Sequence, residues 1–549
     1  MKSTKTAYHA RQLEIIAQIA ERAYHQPLLP SGLWFHHDIR DNFYDAAYLF
    51  AAAVDPHVEV SIDRDRAKAV ATDVLLAVLQ LQDHDETSDT YGHWPLNLHP
   101  TPVEARPHNL PVELMGSLMI YFDTQYHKQM STALHAAFET AFLHIYQGNF
   151  YRQPMASYGH HEAKFTAAKL ILGRKFHDTE LIQDGYNSLK LTLERVLTIG
   201  MWEYGSLPWF WHWVQAYTSA WELEQDTHIR ADLGTLLDYL WRERSLFYLK
   251  GTWVGPHARG LKHDIPQDEN VLLDYVQYGD FKLPDNLPRT EFAGFLFYEA
   301  PVDARVTALD RSQPTEVMKR ITRLETGQEQ HLHAYAYITE QYAVGGMWER
   351  HVEFDNEQQR WDITFPLSDE KGINQAYVFH PGEGYSHGDP RHQSEFQNVL
   401  FHKNTVMSLY PIPPEASQDE IVGVLPQGTW IQDPLALYGQ VGNVYMAVQF
   451  MQSYQCEEAE DHYTLHSKGR NNGVVMEVMA AHEAVALDIQ NVEQFAAVMR
   501  ANLPTFLAEP VLQVQYRTLK GDTLQLTAMP GQGQPYINGE AIEFGRYSV

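Results

Sequence analysis

The sequence predicts a multidomain α-then-β chain: an N-terminal (α/α) incomplete toroid followed by an antiparallel β-sandwich. Three observations carry this expectation. The 549 residues are too many for one ordinary core. Before about residue 250, apolar residues recur at helical spacing. From about Arg289 onward the runs alternate with period two.

The helical half is read first. In Ala67 to Leu81, Val70, Val74, Leu75, Val78 and Leu79 fall on one stripe. Met130, Leu134, Phe138, Phe142 and Ile145 do the same in Lys128 to Ile145. So do Ile229, Leu233, Leu236, Leu237, Leu240 and Trp241 in Thr227 to Arg244. About nine such helices precede residue 250. Their connections carry Gly, Pro, His and aromatic residues, as in Tyr91 to Pro95, Ser157 to His161 and Tyr204 to Pro208. Short links between helices suit antiparallel pairing, and in a toroid such loops gather at one end and form a cleft. Lys282 to Pro288 reads as a linker, which gives domains 1–285 and 286–549. In the second, His333 to Ile338 and Leu512 to Thr518 alternate. Asn538-Gly539 is a type I′ hairpin pair, and about 260 residues of such strands make a sandwich. One short helix, Val492 to Ala501, interrupts it.

A net charge of −29 argues against nucleic acid and anionic membranes as partners. It leaves room for an acidic sugar, because a local cluster of Arg, Lys and His acts within a Debye length of about 8 Å. The single cysteine, Cys456, excludes an intrachain disulfide. Met1 to Arg11 is polar, and no apolar run is long enough to span a bilayer, so a cytoplasmic location is expected. Aromatic residues make up 12 % of the chain, which fits a large core or a cleft on which sugar rings stack.

Four stretches carry candidate chemistry. In His108 to Gly116, Asn109 opens a helix, either as its cap or as an amide donor to substrate. In Ser157 to Glu162, Tyr158 and His160 precede or open a helix, and His160 and Lys164 share a face. A histidine there titrates near neutral pH and can neutralise or deprotonate substrate. Trp202 to His212 holds Glu203, Tyr204 and Trp209. Gly255 to Arg259 holds His257 and Arg259, and Arg259 can clamp a carboxylate or join the two domains. Trp34 and Trp94 are further stacking candidates. Trp34 begins a stretch in which Asp38 and Asp41 either cap a helix or bind sugar hydroxyls. In the β half, the loop His380 to His392 offers Tyr385, His387 and Arg391 to a cleft. The His and Glu spacing of that loop matches no standard zinc set, so no metal and no cofactor is expected.

The order of helical toroid then β-sandwich, with these stretches, resembles polysaccharide lyases of the heparinase II/III and chondroitin AC type. It is also similar to uncharacterised toroid proteins that carry Glu-Tyr-x-Ser-Pro and Gly-Pro-His-Ser-Arg segments. The resemblance implies that Asn109 binds a uronate carboxylate. It also implies that a Tyr in the loop before residue 210 serves as acid, and often as base. Trp209 stands where that Tyr is expected, and Tyr204 is the substitute. The expected partner is an acidic oligosaccharide or polysaccharide, with a homo-oligomer also open. The expected reaction is β-elimination: Asn109 with His160, His257 or Arg259 neutralises the carboxylate, and Tyr or His moves the protons. Two alternatives stand beside it. One is a glycoside hydrolase using two of Glu113, Glu162, Glu203 and Asp38. The other is a non-catalytic oligosaccharide-binding protein.

Overall fold

The computed structural model describes residues 4–260, 270–287, 289–290, 292–325, 328–353, 358–367, 372–386, 392–530 and 533–549. Helices come first and antiparallel sheets second. The chain divides into two compact units. The first holds Met1–Thr198, Pro208–Glu243 and Asn270–Val302; the second holds Ile199–Leu207, Arg244–Glu269 and Asp303–Val549.

The first nine α-helices are α1 (Thr4–His25), α2 (Ile39–Val54), α3 (Arg64–Gln80), α4 (Asn109–Tyr126), α5 (Thr132–Gly148), α6 (His160–Lys175), α7 (Thr179–Thr198), α8 (Leu207–Leu223) and α9 (Thr227–Leu246). Neighbours in sequence pack together: α1 on α2, α2 on α3, α4 on α5, α6 on α7. Their burial alternates. From Phe43 to Ala52, α2 buries every residue except Tyr44, and α4 buries every residue from Pro111 to Asp123. In α6 the buried run is broken only at Phe165. In contrast, α3, α5 and α7 bury one stripe each. A helix buried on all sides is interior and a striped one is peripheral, so α2, α4, α6 and the mostly buried α8 are inner helices. Their burial is the main stabilising term, about 1.5–3 kcal/mol for each large apolar side chain such as Phe43 or Phe122.

The expected stripes fall on α3, α5 and α9. One start differs. The stripe from Lys128 suggested a helix there, but residues 127–129 form a 3₁₀ turn, and Ser131 caps α5 by accepting the Leu134 N–H at 3.2 Å.

The second unit is a β-sandwich. Its eight-stranded sheet runs Tyr454–Glu458, His462–Lys468, Glu420–Pro426, Gln375–Phe379, Trp361–Thr364, Ala343–Met347, Gln328–Ile338, Thr315–Glu325. Its six-stranded sheet runs Asn398–His402, Thr405–Pro411, Asn471–Ala480, Val444–Phe450, Ala436–Val441, Thr429–Asp433. One hydrophobic cluster takes Tyr335, Val344 and Trp361 from the first and Leu400, Met407 and Met446 from the second. The Tyr335 and Phe401 rings stack across it at 6.1 Å. The burial of Ala334 to Ile338 is continuous, so the sequence alternation there does not separate a wet face from a dry one. A smaller five-stranded sheet closes the chain. Its last hairpin turns on Asn538 and Gly539, both at positive φ (53° and 84°), as a type I′ turn requires. The expected short helix is Val492–Arg500.

Candidate functional site

In the first unit, a series of contacts links the N-terminal ends of the four inner helices into a circuit. The start of α2 is held by Ile39 N–H donating to Leu96 O (3.0 Å) and Leu98 N–H donating to His36 O (2.9 Å). The same loop, through Trp94–Pro95, pairs antiparallel with Pro107–His108 and so delivers the chain to α4. On α4, Glu113 accepts from His161 Nδ1 (2.7 Å) and from Lys164 Nζ (2.5 Å), both on α6. At the tip of α6, His160 stacks on Trp209 of α8 with centroids 5.3 Å apart, and lies 5.5 Å from the His212 ring. Arg40, in the first turn of α2, is within electrostatic reach of His212.

His212 is the chemical centre of this circuit. Burial pushes its pKa well below the ordinary imidazole value, and the charges of Lys164, His160, Arg40 and Arg289 push it further the same way. Its ring is partly exposed, yet Nδ1 is buried and has no hydrogen-bond partner. Tyr44 lies one turn beyond Arg40 on α2. Burial raises its pKa, so its phenol keeps its proton at neutral pH.

The loop before α6 is built for this position. Glu162 accepts the backbone N–H groups of Ala156 (2.7 Å), Ser157 (2.9 Å) and Tyr158. These bonds hold Tyr158 in the left-handed region at φ 57°, which costs a non-glycine residue about 1–3 kcal/mol. Asn109 is exposed. The cap of α4 is His108, whose Nδ1 accepts Leu110 N–H, so the capping role expected for Asn109 belongs to its neighbour. Asn109 instead shares a face with Glu113, one turn away.

Two stacking candidates are corrected. Trp94 is fully buried, and its indole donates to Val78 O at 2.8 Å. Trp34 is buried as well. Neither ring offers a face to a ligand. Trp209 is partly exposed and carries His160 stacked on its ring.

The residues Glu203, Tyr204, His257 and Arg259 belong to the second unit. There the two loops are pressed together: a Cβ on Gly205, at φ 55°, would lie 1.9 Å from Pro256 O. Tyr204 is buried, donates to Glu353 (2.7 Å) and accepts from Gln358 Nε2 (2.7 Å). Burial and the Glu353 charge raise its pKa well above the phenol value. Arg323 completes the network, bonding Glu353 at 2.5 Å and lying 4.4 Å over the Trp202 ring. His257 is buried against Asp362 (2.9 Å). Glu203 is buried, and Arg259 is partly exposed. His387 and Arg391 lie outside the described residues. Tyr385, from the same loop, packs on Phe379 at 5.7 Å. His380 bonds Ser394 Oγ (2.7 Å) and Gln418 O (3.1 Å), which occupies both ring nitrogens.

Sequence reasoning did not single out His212. Its only signal was the spacing Trp209 to His212, three residues on one helix face. Among the described residues, Asp123, His135 and Glu139 bring possible metal-ligating atoms within 4.8 Å of one another. His135 is bonded to Asp123 and Lys175 already pairs with Glu139, so a cation is in place. No described helix is long and apolar enough to cross a membrane.

No protein-family model and no curated protein matches the chain. Among solved structures, the chain is similar to a chondroitinase AC lyase studied in oligosaccharide complexes, at 9 % identity, covering 97 % of this chain and 94 % of that one, with a TM-score of 0.45. It is also similar to the Streptomyces coelicolor A3 chondroitin AC lyase in complex with chondroitin sulphate. There the identity is 10 %, the coverage 96 % and 89 %, and the TM-score 0.48.

Proposed function

We propose that the protein is a lyase that cleaves uronate-containing glycans by β-elimination at the N-terminal ends of α2, α4, α6 and α8. The observation that carries this reading is His212, partly exposed and kept neutral by burial and by the charges of Lys164, His160, Arg40 and Arg289. A uronate carboxylate seated against Lys164, Arg40 and Arg289, with the exposed Asn109 amide as a donor, has its enolate-like charge stabilised as it forms. His212 takes the C5 proton. The C4–O bond breaks, a C4–C5 double bond forms, and Tyr44 supplies the proton to the leaving oxygen. Trp209 offers a ring face to a neighbouring sugar.

Hydrolysis draws less support. Asp38 is bound bidentately by Arg40, Glu113 by Lys164 and His161, and Glu162 by three backbone N–H groups. The pairings of Tyr204 with Glu353 and of His257 with Asp362 favour positioning roles for those residues.

The test is ultraviolet absorbance of the new double bond on incubation with uronate oligosaccharides. His212→Asn is expected to lower the rate about 10²–10⁴-fold while leaving the urea midpoint unchanged. New reducing ends without absorbance refute elimination in favour of hydrolysis. Ligand-induced stabilisation with neither product identifies a binding protein.

A further inference from the structure

We propose that a divalent cation of the zinc class binds where the C-terminal end of α4 meets α5, held by His127, His135 and Glu139, with Asp123 orienting His135. Residues four apart on a helix share a face. Asp123 and His127 make one such pair, running from the last turns of α4 into the 3₁₀ turn at 127–129. His135 and Glu139 make a second on α5. The packing of α4 on α5 brings the two pairs together. The His127 and His135 rings lie 5.9 Å apart, and His135 Nδ1 is 2.8 Å from Asp123 Oδ1. Possible ligand atoms of Asp123, His135 and Glu139 all fall within 4.8 Å of one another. A tetrahedral zinc with bonds of about 2.0–2.1 Å holds its ligand atoms about 3.3 Å apart, so rotation of exposed side chains closes the set.

Both rings are oriented as metal-binding histidines are. His127 Nδ1 lies 3.2 Å from Thr124 O, and a bond to a carbonyl places the proton on Nδ1. His135 Nδ1 meets the buried Asp123 carboxylate in the same way. In the neutral ring Nε2 then carries the lone pair, and a carbonyl or carboxylate at the other nitrogen is the usual partner of a ligating imidazole. Two imidazoles and a carboxylate suit zinc, copper or nickel rather than calcium or magnesium. The ligands are open to solvent: His127 and Glu139 are exposed, and the His135 side chain is 42 % exposed. The competitor is the Lys175 ammonium, 2.8 Å from Glu139. It also lies 4.6 Å over the Phe142 ring, a contact it keeps when Glu139 turns to the metal. An ion pair this exposed weakens an incoming cation by no more than about fivefold. The carboxylates of Asp123 and Glu139 together balance a dication.

Asp123 lies about 21 Å along α4 from Asn109, at about 1.5 Å per residue, so the site is independent of the elimination chemistry. Zinc chloride is titrated by calorimetry into the full chain stripped with a chelator, with calcium chloride as the oxygen-preferring control. One equivalent of zinc is expected to bind saturably. His127→Ala, His135→Ala and Glu139→Gln are each expected to weaken that event about tenfold or more. Lys175→Met breaks the same ion pair as Glu139→Gln but leaves the carboxylate, and is expected to bind zinc at least as tightly as wild type. Zinc is expected to raise the thermal midpoint of wild type but not of the His127→Ala, His135→Ala double variant. All of these side chains reach the surface, and the midpoint without zinc checks that each variant folds. Absence of a saturable event overturns the proposal. So do equal affinity for calcium, zinc binding that survives both histidine replacements, and weaker binding in Lys175→Met.

Discussion

Replacing Lys164 by Met is the sharpest test of how the helical site is held together. Lys164 and Glu113 are 4 % and 6 % exposed, with Nζ and Oε2 2.5 Å apart. Removing the lysine leaves a buried carboxylate whose remaining partner, His161, is about half exposed. Breaking a buried pair costs about 3–5 kcal/mol, because the stranded charge stays out of water. His161 offsets part of that, so the expected loss is about 3 kcal/mol. Burial alone would raise the Glu113 pKa, but the hydrogen bond from His161 and the charge of Lys164 outweigh it and hold the pKa below the ordinary carboxylate value. A folded-state pKa below the unfolded one contributes stability above the unfolded value, and that contribution disappears as pH falls through the folded one. In Lys164→Met the shift shrinks or reverses, so the variant's deficit relative to wild type narrows as the medium is acidified. Urea unfolding at pH 7 and at a pH below 4.5, where the Glu113 carboxylate titrates, measures this, with Glu113→Leu and the double variant closing the cycle. The double variant is expected to be more stable than Lys164→Met alone. A loss under about 1 kcal/mol, or strictly additive single effects, would refute the reasoning.

Other perturbations follow from the same geometry. Gly205→Ala places a methyl group 1.9 Å from Pro256 O at a positive φ; thermal unfolding is expected to show a loss of at least about 2 kcal/mol. In Glu477, burial outweighs the bonds from Tyr516, Leu519 and Asn404 and raises the pKa to about 6 from 4.5. That shift favours the folded state below pH 4.5, and the benefit disappears as pH rises through about 6, a change of about 2 kcal/mol. Glu477→Gln should therefore flatten the stability profile across that window in denaturant titrations. Trp209→Ala is expected to weaken oligosaccharide binding in calorimetry with little change in unfolding midpoint, because its ring is partly exposed.

The fold class was legible because periodicity is a local property. The stripes of α3, α5 and α9 and the Asn538-Gly539 turn needed no tertiary information. Inner helices were harder to place, since α4 is apolar nearly all round and has no stripe to read. The site was half legible. His160 and Trp209 were singled out as separate features, and the structure stacks them on each other. Trp94 and Trp34 misled because a tryptophan in a polar-looking loop gives no sign that its ring turns inward. His212 was not singled out because its character comes from burial and then from Lys164, Arg40 and Arg289, all set by tertiary packing of elements far from it in sequence.

The charge balance explains why such a site can exist in a chain with 70 acidic and 41 basic residues. At long range the surplus of carboxylates repels an anionic glycan, but screening limits that repulsion to about 8 Å at physiological salt. At the inner-helix ends the acids are already engaged. Asp38 caps α2 by accepting Arg40 N–H at 2.9 Å, Glu162 is taken up by the loop before α6, and Glu113 bridges α4 to α6. Engaged carboxylates fix the positions of Arg40, His161 and Lys164. The helix N-termini at the same place add partial positive charge of their own. Burial first, and that field second, keep His212 neutral, because a proton on its ring would have to be desolvated and would add one more positive charge to the cluster. In the proposed elimination, a substrate carboxylate seated here would offset this field locally and raise the His212 pKa, so that binding the acid would strengthen the base beside it.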